Sequence, residues 1–137
     1  MKTHASIKYL KISSRKLRLS ADLVRGLQVA QAEQVLAATP KKGSVMVAEA
    51  LKSAVANAEN NHNARKSSLR VAEIKVDEGP TLKRFRPRSR GMAAPILHRM
   101  SHLTVVVTDE AAVEKKRSVK KVEKTPKKQL AASGKEA

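Results

Sequence analysis

Aromatic side chains are nearly missing from this 137-residue chain: it has one tyrosine, Tyr9, one phenylalanine, Phe85, and no tryptophan. A core must therefore come from Val, Leu, Ile and Ala. The several-ring stacking platforms of OB or RRM single-strand binders are disfavoured. Cysteine is absent, which removes disulfides, cysteine-based zinc sites and thiol chemistry. No apolar run approaches the roughly 20 residues of a membrane span. Met1-Lys2-Thr3-His4-Ala5-Ser6 leads directly into patterned sequence rather than into a signal or transit peptide, so a cytoplasmic location is expected. The most informative shortage is local: between Glu78 and Asp109 the chain runs for 30 residues without a carboxylate.

What fills that stretch is cationic. It holds Lys83, Arg84, Arg86, Arg88, Arg90 and Arg99, with His98 and His102. Five of these cations fall within residues 83–90, broken by Pro87 and followed by Gly91. Charge at that density repels itself unless a polyanion lies against it, and a nucleic-acid backbone is the obvious candidate. The net charge is +17, from 29 Lys+Arg against 12 Asp+Glu. Residues 1–110 contribute +11 of it and residues 111–137 contribute +6, so the excess belongs to the patterned region as well as to the tail.

The length suits one domain with a modest core, expected over 1–110. Residues 4–12 read as a strand with Ile7 and Tyr9 on one face. Ser13 is a good N-cap for a helix over about 14–25 with Leu17, Ala21 and Val24 on one side, and Gly26 fits its end. A second helix, about 28–38, aligns Val29, Ala32 and Leu36. Thr39-Pro40 supplies a stop and a new N-cap with proline at the first helical position. A third helix follows over about 41–60, with Val47, Ala48, Leu51, Ala54, Val55 and Ala58 at helical spacing. Leu69 to Val76 and Ile96 to Thr108 read as strands, the second with Leu103, Val105 and Val107 facing the helices. A slip in parity between Val71 and Ala72 leaves room for a bulge.

The intervening residues are too polar for a core and too many for an ordinary loop. They are expected to continue both strands outward as a hairpin extension over about 79–97, with its tip near 86–93. Ten residues per arm would reach on the order of 30 Å. Residues 84, 86, 88 and 90 are all arginine, and a strand's period of two would put them on one edge at about the spacing of phosphates. Arginine's planar fork suits phosphate better than lysine does. Arg15, Lys16, Arg18 and Arg25 form a second basic surface on the first helix. Residues 111–137 are too thin in apolar content to order alone and are expected to be a disordered basic tail.

Other chemistry has little footing. His98 and His102 are four apart, as in two-histidine zinc helices. On a strand the same spacing separates them by about 13 Å, too far for one metal. No Gly-rich phosphate loop precedes a helix, and no serine sits in a nucleophile elbow. Neither an enzyme nor a cofactor is expected, and no metal site.

Several separated segments, in order, resemble one family. They are Ala21-Asp22-Leu23-Val24-Arg25-Gly26, Ala54-Val55-Ala56-Asn57-Ala58-Glu59-Asn60, Asp77-Glu78-Gly79-Pro80-Thr81-Leu82-Lys83-Arg84, Pro87-Arg88-Ser89-Arg90-Gly91 and Ser101-His102-Leu103-Thr104-Val105-Val106-Val107. Over about residues 5–109 the chain resembles the ribosomal protein L twenty-two family of the large subunit. The resemblance implies an α+β fold: three helices packed on a three-stranded antiparallel sheet, with one long protruding β-hairpin. It implies 23S rRNA as partner, bridging of rRNA domains during assembly, neighbouring large-subunit proteins, and a hairpin tip in the wall of the nascent-peptide exit tunnel. By that resemblance Lys83, Arg84, Arg86, Arg88 and Arg90 contact rRNA, joined in our reading by Arg15, Lys16, Arg18, Arg25, His98, Arg99 and His102. Arg88, Ser89, Arg90, Gly91, Met92 and Ala93 form the tunnel tip. No membrane contact and no homo-oligomer are expected. The sequence departs from the family at Met92 and at Ala94-Pro95, where basic residues are common. Three other readings stay open: an architectural DNA protein wedging Pro87 into a minor groove, a nuclease using His98 and His102, and a chaperone-like or membrane-surface cationic protein.

Overall fold

A computed structural model describes residues 1–109; the tail expected over 111–137 lies outside them. The order of elements is β1 (Lys2–Leu10), α1 (Ser14–Val24), α2 (Val29–Ala38), α3 (Lys42–His62), β2 (Leu69–Pro87) and β3 (Ala93–Asp109). The three strands form one antiparallel sheet in the order β1-β3-β2. One face of it is covered by the helices.

The core is aliphatic, as the scarcity of aromatics requires. Leu17, Val24, Val29, Val47, Leu51, Val71, Leu103, Val105 and Val107 are fully buried. Each such side chain stabilises by about 1.5–3 kcal/mol relative to exposure. Ala21, Ala32, Ala50, Ala54 and Ala58 are also buried and let the helices lie close to the sheet and to one another. α1 and α3 approach closely: a Cβ added at Gly43 would come 2.8 Å from the hydroxyl of Ser20. Ser44 Oγ donates to Ser20 Oγ there at 3.4 Å. Among the described residues no helix is long and apolar enough to cross a membrane.

Several element ends differ from the sequence reading, each for a local reason. Ser13 stands at the N-cap of α1, but its backbone carbonyl, not its hydroxyl, receives the first helical N–H groups. Thr39 closes α2 instead of opening α3: its Oγ1 donates to the Val35 carbonyl at 2.8 Å, and α3 starts after Lys41. α3 ends at His62, where Asn63 takes a left-handed conformation with φ 50°. Tyr9 does not share a face with Ile7. It adopts φ 60° where the β1–β3 register shifts, and is turned to solvent. The β2 bulge falls where the parity slipped, between Val71 and Glu73.

Candidate nucleic-acid interface

Beyond the body, β2 and β3 continue as a two-stranded finger. Its ladder is unbroken from Thr81↔Arg99 to Pro87↔Ala93. Seven pairs at roughly 3.3 Å each give about 23 Å, shorter than the sequence reading because residues 79, 80 and 100 still belong to the junction with the body. Arg88 N–H closes the tip by donating to the Met92 carbonyl at 2.8 Å, and Ser89–Gly91 form a 3-10 turn. Arg90 and Gly91 take φ values of 58° and 69° in that turn.

This geometry revises the arginine row. Arg84 and Arg86 lie on one face of β2, and Arg88 continues in extended backbone. The left-handed conformation at Arg90 breaks the alternation, so the fourth arginine leaves the row. Lys83, Arg84, Arg86, Arg88 and Arg90 are all exposed. Among the described residues none of them meets a carboxylate; ion pairs formed elsewhere include Arg25–Asp22, Lys66–Glu33 and Lys75–Glu73. Ser89, Met92 and Ala93 are likewise exposed at the tip.

The basic side chains of α1 divide into two groups. Arg15, Lys16, Arg18 and Arg25 are all exposed, and the last two also bond to β2. Arg18 donates from Nε and Nη2 to the Val76 carbonyl at 3.3 and 3.0 Å. Arg25 Nη2 donates to the Ile74 carbonyl at 3.3 Å and pairs with Asp22 at 2.9 Å. β2 is an edge strand, and these guanidiniums occupy carbonyls that would otherwise remain open to another chain. The α1–α2 connection completes the cover: Gly26 N–H donates to the Val71 carbonyl and Val71 N–H to the Leu27 carbonyl. Arg18 and Arg25, read from the sequence as RNA contacts, thus also brace α1 and its end against β2.

The two histidines have different surroundings on one strand, β3. His98 is exposed and pairs across the ladder with Leu82. His102 Nδ1 accepts a 3.0 Å bond from the Tyr9 N–H, and its ring meets the Tyr9 ring edge-on at 4.9 Å. His102 thus supports the irregular backbone of β1 at Tyr9. Among the described residues no cluster of three or more His, Asp or Glu side chains is placed to hold a metal ion.

At the root of the finger a recess brings Lys16, His98 and Arg99 together with Lys11 and Lys42. The sequence reading missed Lys11, in the short β1–α1 connection, and Lys42, the first residue of α3, neither of which belongs to a charge pattern. A phosphate chain running off the finger would meet these cations next.

The chain matches the profile of the family described as Ribosomal protein L22p/L17e over residues 5–108. It is 51% identical over 106 residues to the large ribosomal subunit protein uL22 of Pediococcus pentosaceus, covering 77% of this chain and 90% of that protein. It is 50% identical over 108 residues to the protein of that name from Lacticaseibacillus casei, covering 79% and 92%. With a profile match across the whole described body and finger, and half of the aligned residues shared with such relatives, the chain belongs to the ribosomal protein L22p/L17e family.

Proposed function

We propose that this protein is a structural constituent of the large ribosomal subunit, acting in the cytoplasm, whose finger binds 23S rRNA and bridges rRNA domains during assembly. The observation that carries this is the exposed finger, which with Arg99 at its root bears six cations and no carboxylate. Its mechanism is countercharge. Guanidiniums placed among phosphates remove the repulsion that would keep distant RNA segments apart, and release counterions as they bind. Arg84, Arg86 and Arg88 grip phosphates along one face, and Lys83, Arg90, His98 and Arg99 extend the contact. Arg15 and Lys16 add to it from α1, while Arg18 and Arg25 contribute mainly through their field. Beside Arg90 the uncharged segment Gly91, Met92 and Ala93 suits the wall of the nascent-peptide tunnel, which it can line without adding charge. The role needs no catalytic group, and neighbouring large-subunit proteins are its other partners.

Replacing Arg84, Arg86, Arg88 and Arg90 together by Ala tests the reading. The body stays folded by circular dichroism, affinity for 23S rRNA falls, and the slope of log K against log salt shrinks by about 0.7–0.9 for each phosphate that is no longer neutralised. A slope equal to that of the unaltered protein would refute phosphate binding there.

A further inference from the structure

The finger has two faces of different chemistry. Partners directly opposite in an antiparallel ladder point to the same side, so the register sorts the residues. One face carries Leu82, Arg84, Arg86, Ala94, Ile96 and His98; the other carries Lys83, Phe85, Pro87, Ala93, Pro95 and Leu97. Ser101 and Leu103 of β3 point into the helix-covered core. Alternation along β3 carries that core-facing side outward through Arg99, Leu97 and Pro95. The apolar side of the sheet thus runs out from beneath the helices and continues uncovered along the finger. At its centre is Phe85, 73% exposed, with Pro95 directly across the ladder and Pro87 two residues along.

We propose that the Phe85 face receives an unpaired RNA base, stacked on the phenyl ring and bordered by Pro87, Pro95 and Leu97, while the Arg84–Arg86 face takes phosphates. This inference rests on the RNA-binding reading above and adds a second kind of contact to it. Charge complementarity selects the occupant: Lys83 and Arg99 border the patch on the same side, and residues 79–108 offer a protein partner's basic groups no carboxylate. An exposed phenyl ring provides a π-face for a base, and neighbouring prolines hold it on a platform with little side-chain freedom to lose. The base must be unpaired and unstacked, because a base inside a helix has both faces covered. The composition rules out a platform of several rings; a single ring between prolines needs only one.

The test uses the full chain with protein-free 23S rRNA, measuring affinity across a range of salt. Stacking predicts that Phe85→Ala weakens binding about 5- to 150-fold with an unchanged salt slope. Phe85→Tyr retains wild-type affinity, and Phe85→Leu is nearly as weak as Phe85→Ala because it keeps apolar area but not the π-face. Phe85→Leu binding as wild type overturns the proposal, and so does a Phe85→Ala effect seen only on assembled subunits, which would make the patch a protein contact. Wild-type affinity in Phe85→Ala, with the arginine variant still lowering the slope, overturns this inference alone. Failure of the unaltered protein to bind 23S rRNA overturns the underlying reading instead.

Discussion

Ser101 lies at the root of the finger with no exposure, and its hydroxyl has no hydrogen-bond partner among the described residues. An orphaned buried hydroxyl costs about 1–3 kcal/mol of desolvation. Removing it leaves a buried methyl group with no polar atom to satisfy. Ser101→Ala is therefore expected to be neutral or to stabilise by about 1 kcal/mol, read from urea denaturation midpoints. Two residues along the same strand, Leu103 is also fully buried, but its side chain fills the core, and Leu103→Ala should cost about 2–5 kcal/mol. A marked loss in Ser101→Ala would mean that the hydroxyl has a partner essential to the fold. Tyr9 and His102 show a different residue-level lesson. Nothing in the spacing of Tyr9 foretells φ 60°, because there its N–H donates to His102, 93 residues away in sequence.

At the scale of elements, what the sequence revealed depended on how local the cause was. The faces of α1 and α2 were legible because Leu17, Ala21 and Val24, and Val29, Ala32 and Leu36, repeat at helical spacing and bury together. The start of α3 was not, because Thr39 serves the preceding helix through a side-chain bond that composition cannot assign. The finger was legible because strand residues flank a segment too polar to bury. The fate of Arg90 was not, because the tip's turn type decides it. The same limit hid the role of Arg18 and Arg25: sequence gives their charge, and only the packed sheet gives the carbonyls they reach. Gly79 marks the joint between sheet and finger, where the β2–β3 register shifts between Glu78 and Thr81. A Cβ at Gly79 would meet the backbone of Met100 and Ser101 at 3.1–3.2 Å. β3 is held by strands on both sides and cannot withdraw freely. Gly79→Ala should thus destabilise by about 1–2 kcal/mol by urea denaturation and re-aim the finger. Unchanged stability would show that the joint is loose.

Across the whole molecule, stability and proposed function occupy different residues. Every hydrophobic residue of the core lies before residue 77 or after residue 102, whereas five exposed cations lie between Leu82 and His98. Thr81 and Arg99 face each other across the ladder, so a short Asn-Gly turn can join them in place of residues 82–98. The shortened protein lacks the five cations and keeps every core residue. Its urea midpoint should change by the equivalent of less than about 1 kcal/mol, and its m-value should stay close to that of the full chain, because m follows the surface exposed on unfolding and the finger is exposed already. Its affinity for 23S rRNA should fall further than that of the quadruple arginine variant, since the Phe85 face leaves with the arginines. Loss of cooperative unfolding would show that the finger helps to fold the body, and undiminished RNA binding would move the interface to α1 and the recess around Lys11 and Lys42.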